Sequence, residues 1–187
     1  MVDTVEQVER RPWVLRRWPA VAGVAMAAFA AWGMESGADV APIVTASAFL
    51  YLGAAALQRR TAAWPMFAVS FVAVGLGSNV EGFNATWVML AFAAVLAVYG
   101  VIRGALRPPW GLPLQAAALI VLAAAALIAV DANQTVAGVL VAAGLLIHAG
   151  WDTYHHRTHR VVAQSMSEFC AVLDTLLALA VLVVTFG

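Results

Sequence analysis

The fold of this 187-residue chain is decided by stretches such as residues 112–130, LPLQAAALIVLAAAALIAV, which contain one polar side chain, Gln115, and no charge. As a helix this stretch is about 28 Å long, which nearly matches the roughly 30 Å thickness of bilayer hydrocarbon. The whole chain has a similar character, because 64% of its residues are hydrophobic and 11% are charged. Soluble domains carry about 25% charged residues. The composition therefore predicts an all-α polytopic membrane protein and excludes a soluble or disordered one.

Six further apolar stretches lie on either side of residues 112–130, and each is close to the length that crosses a membrane. The seven predicted spans are residues 18–34, 40–57, 63–77, 86–102, 112–130, 135–151 and 167–186. The separators between them are short, so neighbouring spans are expected to form antiparallel hairpins. We expect residues 1–15 to form a cytoplasmic tail and residues 16–187 to form one domain of seven transmembrane helices.

The arginines determine the predicted orientation. All ten basic residues are arginines, and in this arrangement of spans every one falls on the same side of the membrane: Arg10, Arg11, Arg16, Arg17, Arg59, Arg60, Arg103, Arg107, Arg157 and Arg160. The loops on the opposite side contain only acidic charges. The positive-inside rule therefore places the N-terminus in the cytoplasm and the C-terminus outside. The absence of lysine also excludes a retinal Schiff base.

The composition also suggests a location and partners. Alanine-rich usage with arginine as the sole basic residue is typical of a GC-rich bacterial genome, so we expect a multi-pass protein of the bacterial inner membrane. The bilayer is then its main partner. The many alanines and glycines in the spans allow close contact within the chain, in a homo-oligomer or with a membrane partner. We expect no nucleic-acid partner.

The chain shows signs of an internal repeat. At an offset of 97 residues, Pro12-Trp13 matches Pro109-Trp110, and Arg60-Thr61 matches Arg157-Thr158. These matches predict parallel repeats over residues 12–80 and 109–187, joined by a linking helix at 86–102, as in small transporters with three-plus-one-plus-three spans. The halves differ in chemistry, because Tyr51 of the first half occupies the position of His148 in the second.

The polar residues of the sixth and seventh spans form the candidate site. All four histidines lie in residues 148–159, HAGWDTYHHRTH. At 100° per residue, His148, Asp152 and His155 share one face if the sixth helix continues past residue 151. The seventh span contains Glu168, Cys170 and Asp174, and its antiparallel direction places Asp174 at about the depth of His148. Ionisable side chains at such depths are costly unless they are paired, hydrated or bound to metal.

Three uses of these residues compete. In the first, His148 and Asp152 chelate zinc or iron from one helix face, with Cys170 and Asp174 on the neighbouring helix; His155 is a further metal ligand, and Glu168 is the catalytic base for a bound water. This use predicts a metal-binding protein or a metal-dependent membrane enzyme. In the second, the same residues relay protons in a proton-coupled carrier of small solutes. In the third, they pair structurally in a membrane subunit without catalysis.

The run His148-x-x-Trp151-Asp152-x-x-His155-His156-Arg157, followed by Glu168, Cys170 and Asp174, resembles a pattern of uncharacterised bacterial integral-membrane proteins, and this resemblance brings no activity with it. The layout of seven spans with the N-terminus inside is similar to the superfamily of progestin and adiponectin receptors, haemolysin III and alkaline ceramidases, whose members resemble zinc-dependent membrane hydrolases. That superfamily takes zinc ligands from an early span and from the last one. Here no histidine precedes His148, so the similarity is one of layout and its ligands cannot be transferred.

Overall fold

Each of the seven predicted apolar stretches forms an α-helix in the computed structural model, which describes residues 17–187. The helices are α1 (Trp18–Ala31), α2 (Ala41–Ala56), α3 (Ala63–Asn79), α4 (Ala85–Ile102), α5 (Leu112–Asp131), α6 (Gln134–Thr158) and α7 (Gln164–Phe186). Short 3-10 helices, Gly37–Val40 and Arg60–Ala62, precede α2 and α3. The all-α prediction is confirmed for the described residues. The predicted tail at 1–15 lies outside them.

Six of these helical segments are long and apolar enough to cross a membrane. They are Gly37–Ala56, Arg60–Asn79, Ala85–Ile102, Leu112–Asp131, Gln134–Thr158 and Gln164–Phe186. The first helix differs from the prediction, because α1 has 14 residues and ends at Ala31, after which Trp32 adopts an extended conformation. Its length of about 21 Å is less than the thickness of bilayer hydrocarbon. The predicted span at 18–34 is therefore too long at its C-terminal end.

The second helix is the centre of the bundle. It packs against α3, α4, α5 and α6, and 13 of its 16 residues are buried. A helix that is apolar all around its circumference is expected in such a central position. Its few polar side chains are consequently enclosed by protein, and Ser47 and Tyr51 are among them.

Small residues allow the helices to approach closely. A Cβ atom added to Gly23 of α1 would lie 2.6 Å from the carbonyl oxygen of Phe169 in α7. A Cβ atom added to Gly144 of α6 would lie 2.8 Å from a methyl carbon of Val44 in α2. Glycine at these positions brings α1 to α7 and α6 to α2, as is common between helices in membranes.

The described arginines collect at one end of the bundle. The amide of Ala163, between α6 and α7, donates a hydrogen bond of 3.1 Å to the carbonyl oxygen of Arg60, before α3. The guanidinium of Arg160 lies 4.6 Å from the ring centroid of Trp110, before α5. The α2–α3, α4–α5 and α6–α7 connections are therefore neighbours.

The two predicted repeats do not pack alike. α1 packs mainly against α7, whereas its counterpart α5 packs mainly against α2. The duplication therefore stays a prediction from the sequence matches.

Candidate functional site

Three helices bring polar side chains together in the interior of the bundle. α6 contributes His148 and Asp152, one turn apart on its buried face. α7 contributes Asp174, and α2 contributes Ser47 and Tyr51, again one turn apart. α6 continues past the apolar stretch that ends at residue 151, as the shared face requires, and ends at Thr158. We refer to His148, Asp152 and Asp174 as the buried triad.

One ring nitrogen of the triad faces both carboxylates. His148 Nδ1 lies 2.9 Å from Asp174 Oδ2 and 3.1 Å from Asp152 Oδ2. The candidate ligand atoms of the three residues all lie within 4.8 Å of one another. Both His148 and Asp174 lie about 15 Å along their helices from the arginine-rich end, near the middle of the bundle. The triad could hold a metal ion, because imidazole nitrogen and carboxylate oxygen are common ligands of divalent cations.

Two hydroxyl groups from α2 support the carboxylates. The Tyr51 hydroxyl donates to Asp152 Oδ1 at 2.6 Å. The Ser47 hydroxyl lies 3.3 Å from Asp174 Oδ2 and 3.1 Å from the carbonyl oxygen of Ile43, so it can donate to either. Short hydrogen bonds to a carboxylate hold it in a fixed orientation. α2 therefore orients Asp152 through Tyr51 and places the Ser47 hydroxyl beside Asp174, while itself contributing no metal ligand to the triad.

The triad is enclosed by protein. Asp152 and Asp174 are 0% exposed, and His148 is 3% exposed. Among the described residues, the arginine that forms an ion pair is Arg17, and its partner is Glu168. No described arginine therefore pairs with Asp152 or Asp174. Two ionised carboxylates buried this close together require a compensating positive charge, and a protonated His148, a shared proton or a bound cation could each supply it. The charges of the buried triad are therefore compatible with pairing inside the protein as well as with a bound cation.

The second ring nitrogen of His148 is not satisfied by the protein. Nε2 is buried and has no hydrogen-bond partner among the described residues. The Tyr51 ring meets the imidazole edge-on, with ring centroids 5.2 Å apart. A buried polar atom without a partner costs about 1–3 kcal/mol. His148 is therefore hydrogen-bonded through Nδ1 but not through Nε2 among the described residues.

Two residues that the sequence assigned to the site, His155 and Cys170, lie beside the triad but contact other partners. His155 is buried, and its Nδ1 lies 2.9 Å from the carbonyl oxygen of Trp151, one turn earlier in α6. Cys170 is also buried, and its thiol lies 3.6 Å from the sulfur of Met166. Their roles as metal ligands stay predictions.

Glu168 pairs with an arginine at the end of the bundle. Its carboxylate lies 2.9 Å from Arg17 Nη1, with the Arg17 side chain 53% exposed. The catalytic role that the sequence suggests for Glu168 would require this ion pair to open, and it too stays a prediction.

The sequence reasoning missed both hydroxyl groups of α2. Ser47 and Tyr51 are spaced by four residues and therefore share a helix face, which is a weak signal on its own. The repeat alignment gives a second signal, because it matches Tyr51 to His148. Neither signal indicates that α2 lies against α6 and α7.

Comparison with known proteins gives no further guide to this site. The chain matches no protein-family model, and neither a curated protein nor a solved structure is significantly similar to it.

Proposed function

We propose that this chain is a membrane protein that binds one divalent metal ion inside the bundle, and that it acts as a metal-dependent membrane enzyme. The ligands are His148, Asp152 and Asp174. The observation that carries the proposal is the convergence of His148 Nδ1 on two carboxylate oxygens, at 2.9 and 3.1 Å. Atoms that bind one ion at about 2.0–2.2 Å lie roughly 3 Å from one another, so small shifts are enough to admit the ion.

A divalent cation would balance the charge of the metal-bound form of the triad. Two ionised aspartates and a neutral histidine carry a charge of about −2, which a divalent cation cancels. The resulting centre is neutral overall, as the low-dielectric interior of a membrane protein requires. One imidazole and two carboxylates suit zinc or iron, and three protein ligands leave a coordination position for water or substrate. A metal in such a site supplies Lewis-acid activation of what binds there.

The position of the site follows from the proposed orientation. We place the protein in the bacterial inner membrane, with its N-terminus in the cytoplasm and its C-terminus outside, because its arginines face one side. Residues such as Arg60 and Arg160 would then lie at the cytoplasmic surface. The metal would lie about 15 Å from that surface, near the middle of the bundle.

Proton-coupled transport of a small solute is the second candidate. The observation that favours it is a continuous hydrogen-bonded chain that runs from Tyr51 through Asp152, His148 and Asp174 to Ser47. A proton could be shared along such a chain. Every member is at most 5% exposed, so neither end of the chain meets water directly. This enclosure suits a held ion better than a relay.

Elemental analysis of the purified protein tests the proposal. The unmodified chain, His148→Gln and a control, His159→Asn, are purified after expression with added zinc and iron. His159 is exposed and has a positive φ, which asparagine tolerates, so the control removes a histidine without disturbing the helix. We expect about one metal ion per chain in the unmodified protein and the control, and little in His148→Gln.

Two results would contradict the metal proposal. One is an unmodified chain without stoichiometric metal, and the other is a His148→Gln variant that retains it. Uptake into proteoliposomes that depends on a pH gradient and is lost in Asp174→Asn would then support the transport candidate.

A further inference from the structure

An apolar cleft opens between α1 and α3. Its volume is about 310 Å³. The rim contains Phe29 of α1 and Phe71 and Gly75 of α3, all of them exposed. The back wall contains Leu50 of α2 and Leu173 of α7, together with Ala46 and Cys170, and these four side chains are at most 8% exposed. The cleft therefore leads from the outer surface of the bundle into its core.

The cleft exists because α1 and α3 meet through a few aromatic side chains. The rings of Trp18 and Trp64 stack at 5.3 Å, and those of Phe29 and Phe71 lie 6.2 Å apart. The main packing partner of α1 is α7, whereas that of α3 is α2. The two helices are thus held by different neighbours, and a gap remains between them on the side that would face lipid.

The lining favours an apolar ligand, because its polar side chains are mostly paired within the protein. Three polar side chains line the end of the cleft away from the arginines, and each is already hydrogen-bonded. Asp39 accepts from two backbone amides. Ser78 donates to the carbonyl oxygen of Val74, and Asn79 donates to that of Gly75. Most of the remaining lining is aliphatic or aromatic. A pocket of this kind selects its ligand by apolar contact.

We propose that the cleft binds one acyl chain of a phospholipid, which enters sideways between α1 and α3. A volume of about 310 Å³ lies at the lower end of the roughly 300–1,000 Å³ found for ligand pockets, so it suits one chain rather than a whole two-chain lipid. The bilayer supplies such chains directly against the rim. The headgroup stays outside, near Ser78 and Asn79, where the lining becomes polar.

The inner end of the cleft approaches the buried triad. Ser47 lines the cleft, and its hydroxyl lies 3.3 Å from Asp174 Oδ2. The end of a bound acyl chain would therefore lie beside the groups that we propose to hold the metal. The lipid proposal goes beyond the metal proposal and does not depend on it, because apolar contact alone provides the binding.

Photo-crosslinking tests this inference. The protein is placed in nanodiscs of phosphatidylethanolamine and phosphatidylglycerol that contain a phospholipid with a diazirine near the end of one acyl chain. After illumination, labelled residues are mapped by mass spectrometry. We expect labels on the back wall at Leu50, Cys170 and Leu173, in addition to exposed positions such as Ile120 and Val183, which are 67% and 68% exposed. Labels confined to exposed positions would overturn the proposal.

Two glycine variants provide a matched comparison. A Cβ atom added to Gly75 or to Gly150 would meet no heavy atom within 4 Å, so the first side-chain carbon fits at both positions without a clash. Gly75 lines the cleft, whereas Gly150 lies on α6, away from the cleft. We expect Gly75→Phe to lower back-wall labelling at least about tenfold and Gly150→Phe to leave it unchanged. Equal labelling in both variants would contradict the proposal.

A metal-stripped sample separates the two proposals. Back-wall labelling is expected to persist after treatment with a chelator, whereas the metal content falls. If Gly75→Phe does not fold, the labelled residues of the unmodified chain still show whether the acyl chain enters the cleft.

Discussion

Tyr51→Phe is expected to destabilise the protein measurably. The hydroxyl donates a 2.6 Å hydrogen bond to Asp152 Oδ1, and both side chains are buried. The substitution removes this donor but keeps the ring that packs against His148 and His155. Hydrogen bonds to charged groups contribute about 1.5–3 kcal/mol, and those measured between helices in membranes reach about 1.7 kcal/mol. We therefore expect the free energy of unfolding to fall by about 1.5–2 kcal/mol.

The same substitution is expected to weaken metal binding. Tyr51 orients a proposed ligand, and the loss of such a supporting group lowers metal affinity roughly 10–100-fold. Unfolding is measured in mixed detergent micelles with increasing dodecyl sulfate, and affinity is measured by competition with a chromophoric chelator. Tyr99→Phe is the matched control, because Tyr99 is 45% exposed on α4, a helix that carries no residue of the site. Identical behaviour of the two variants in both assays would mean that the Tyr51 hydroxyl supports neither the fold nor the metal site.

Three further predictions concern packing and the neighbouring residues. Gly23→Ala places its Cβ atom 2.6 Å from the carbonyl oxygen of Phe169, so we expect it to lower the free energy of unfolding by about 1–3 kcal/mol. Gly150→Ala is the control and is expected to be neutral or slightly stabilising. Equal free energies of unfolding in the two variants would contradict this prediction. Cys170→Ala is expected to retain the metal in elemental analysis, because the thiol contacts Met166; loss of metal would make the cysteine a ligand. Glu168→Gln breaks a partly exposed ion pair with Arg17 and should lower the free energy of unfolding by less than about 1 kcal/mol, with the metal retained. A larger loss in the unfolding assay would mean that Glu168 does more than form this surface ion pair.

Most of the fold is predictable because apolar length determines it. α3 begins at Ala63 and α4 ends at Ile102, as the sequence indicates. The least accurate boundary is the end of α6, which continues seven residues beyond the apolar stretch to Thr158. Hydropathy fails there because the segment is polar throughout: Asp152 and His155 face the protein interior, whereas Thr153, Tyr154 and Arg157 are exposed.

The order in which the helices pack is harder to predict than their existence. The spans are similar in composition, so the sequence gives no signal that α2 is central or that α1 packs against α7. The glycines that set these contacts, Gly23 and Gly144, are two among 14 in the chain. Their partners become apparent only once the helices are assembled.

The core of the site follows from helical spacing, whereas its surroundings do not. His148 and Asp152 share a face because they are four residues apart, and the antiparallel hairpin brings Asp174 to the same depth. Spacing gives a direction but not the atom that a side chain finally contacts. His155 therefore turns to the carbonyl oxygen of Trp151, and Cys170 lies against Met166.

X-ray absorption spectroscopy of the purified, metal-loaded protein identifies the atoms that bind the metal. The proposed ligands, His148, Asp152 and Asp174, predict a first shell of nitrogen and oxygen at about 2.0–2.2 Å, with outer-shell scattering from one imidazole. This spectrum should be lost together with the metal in Asp174→Asn. A sulfur scatterer at about 2.3 Å, or the same spectrum in Asp174→Asn, would contradict this set of ligands.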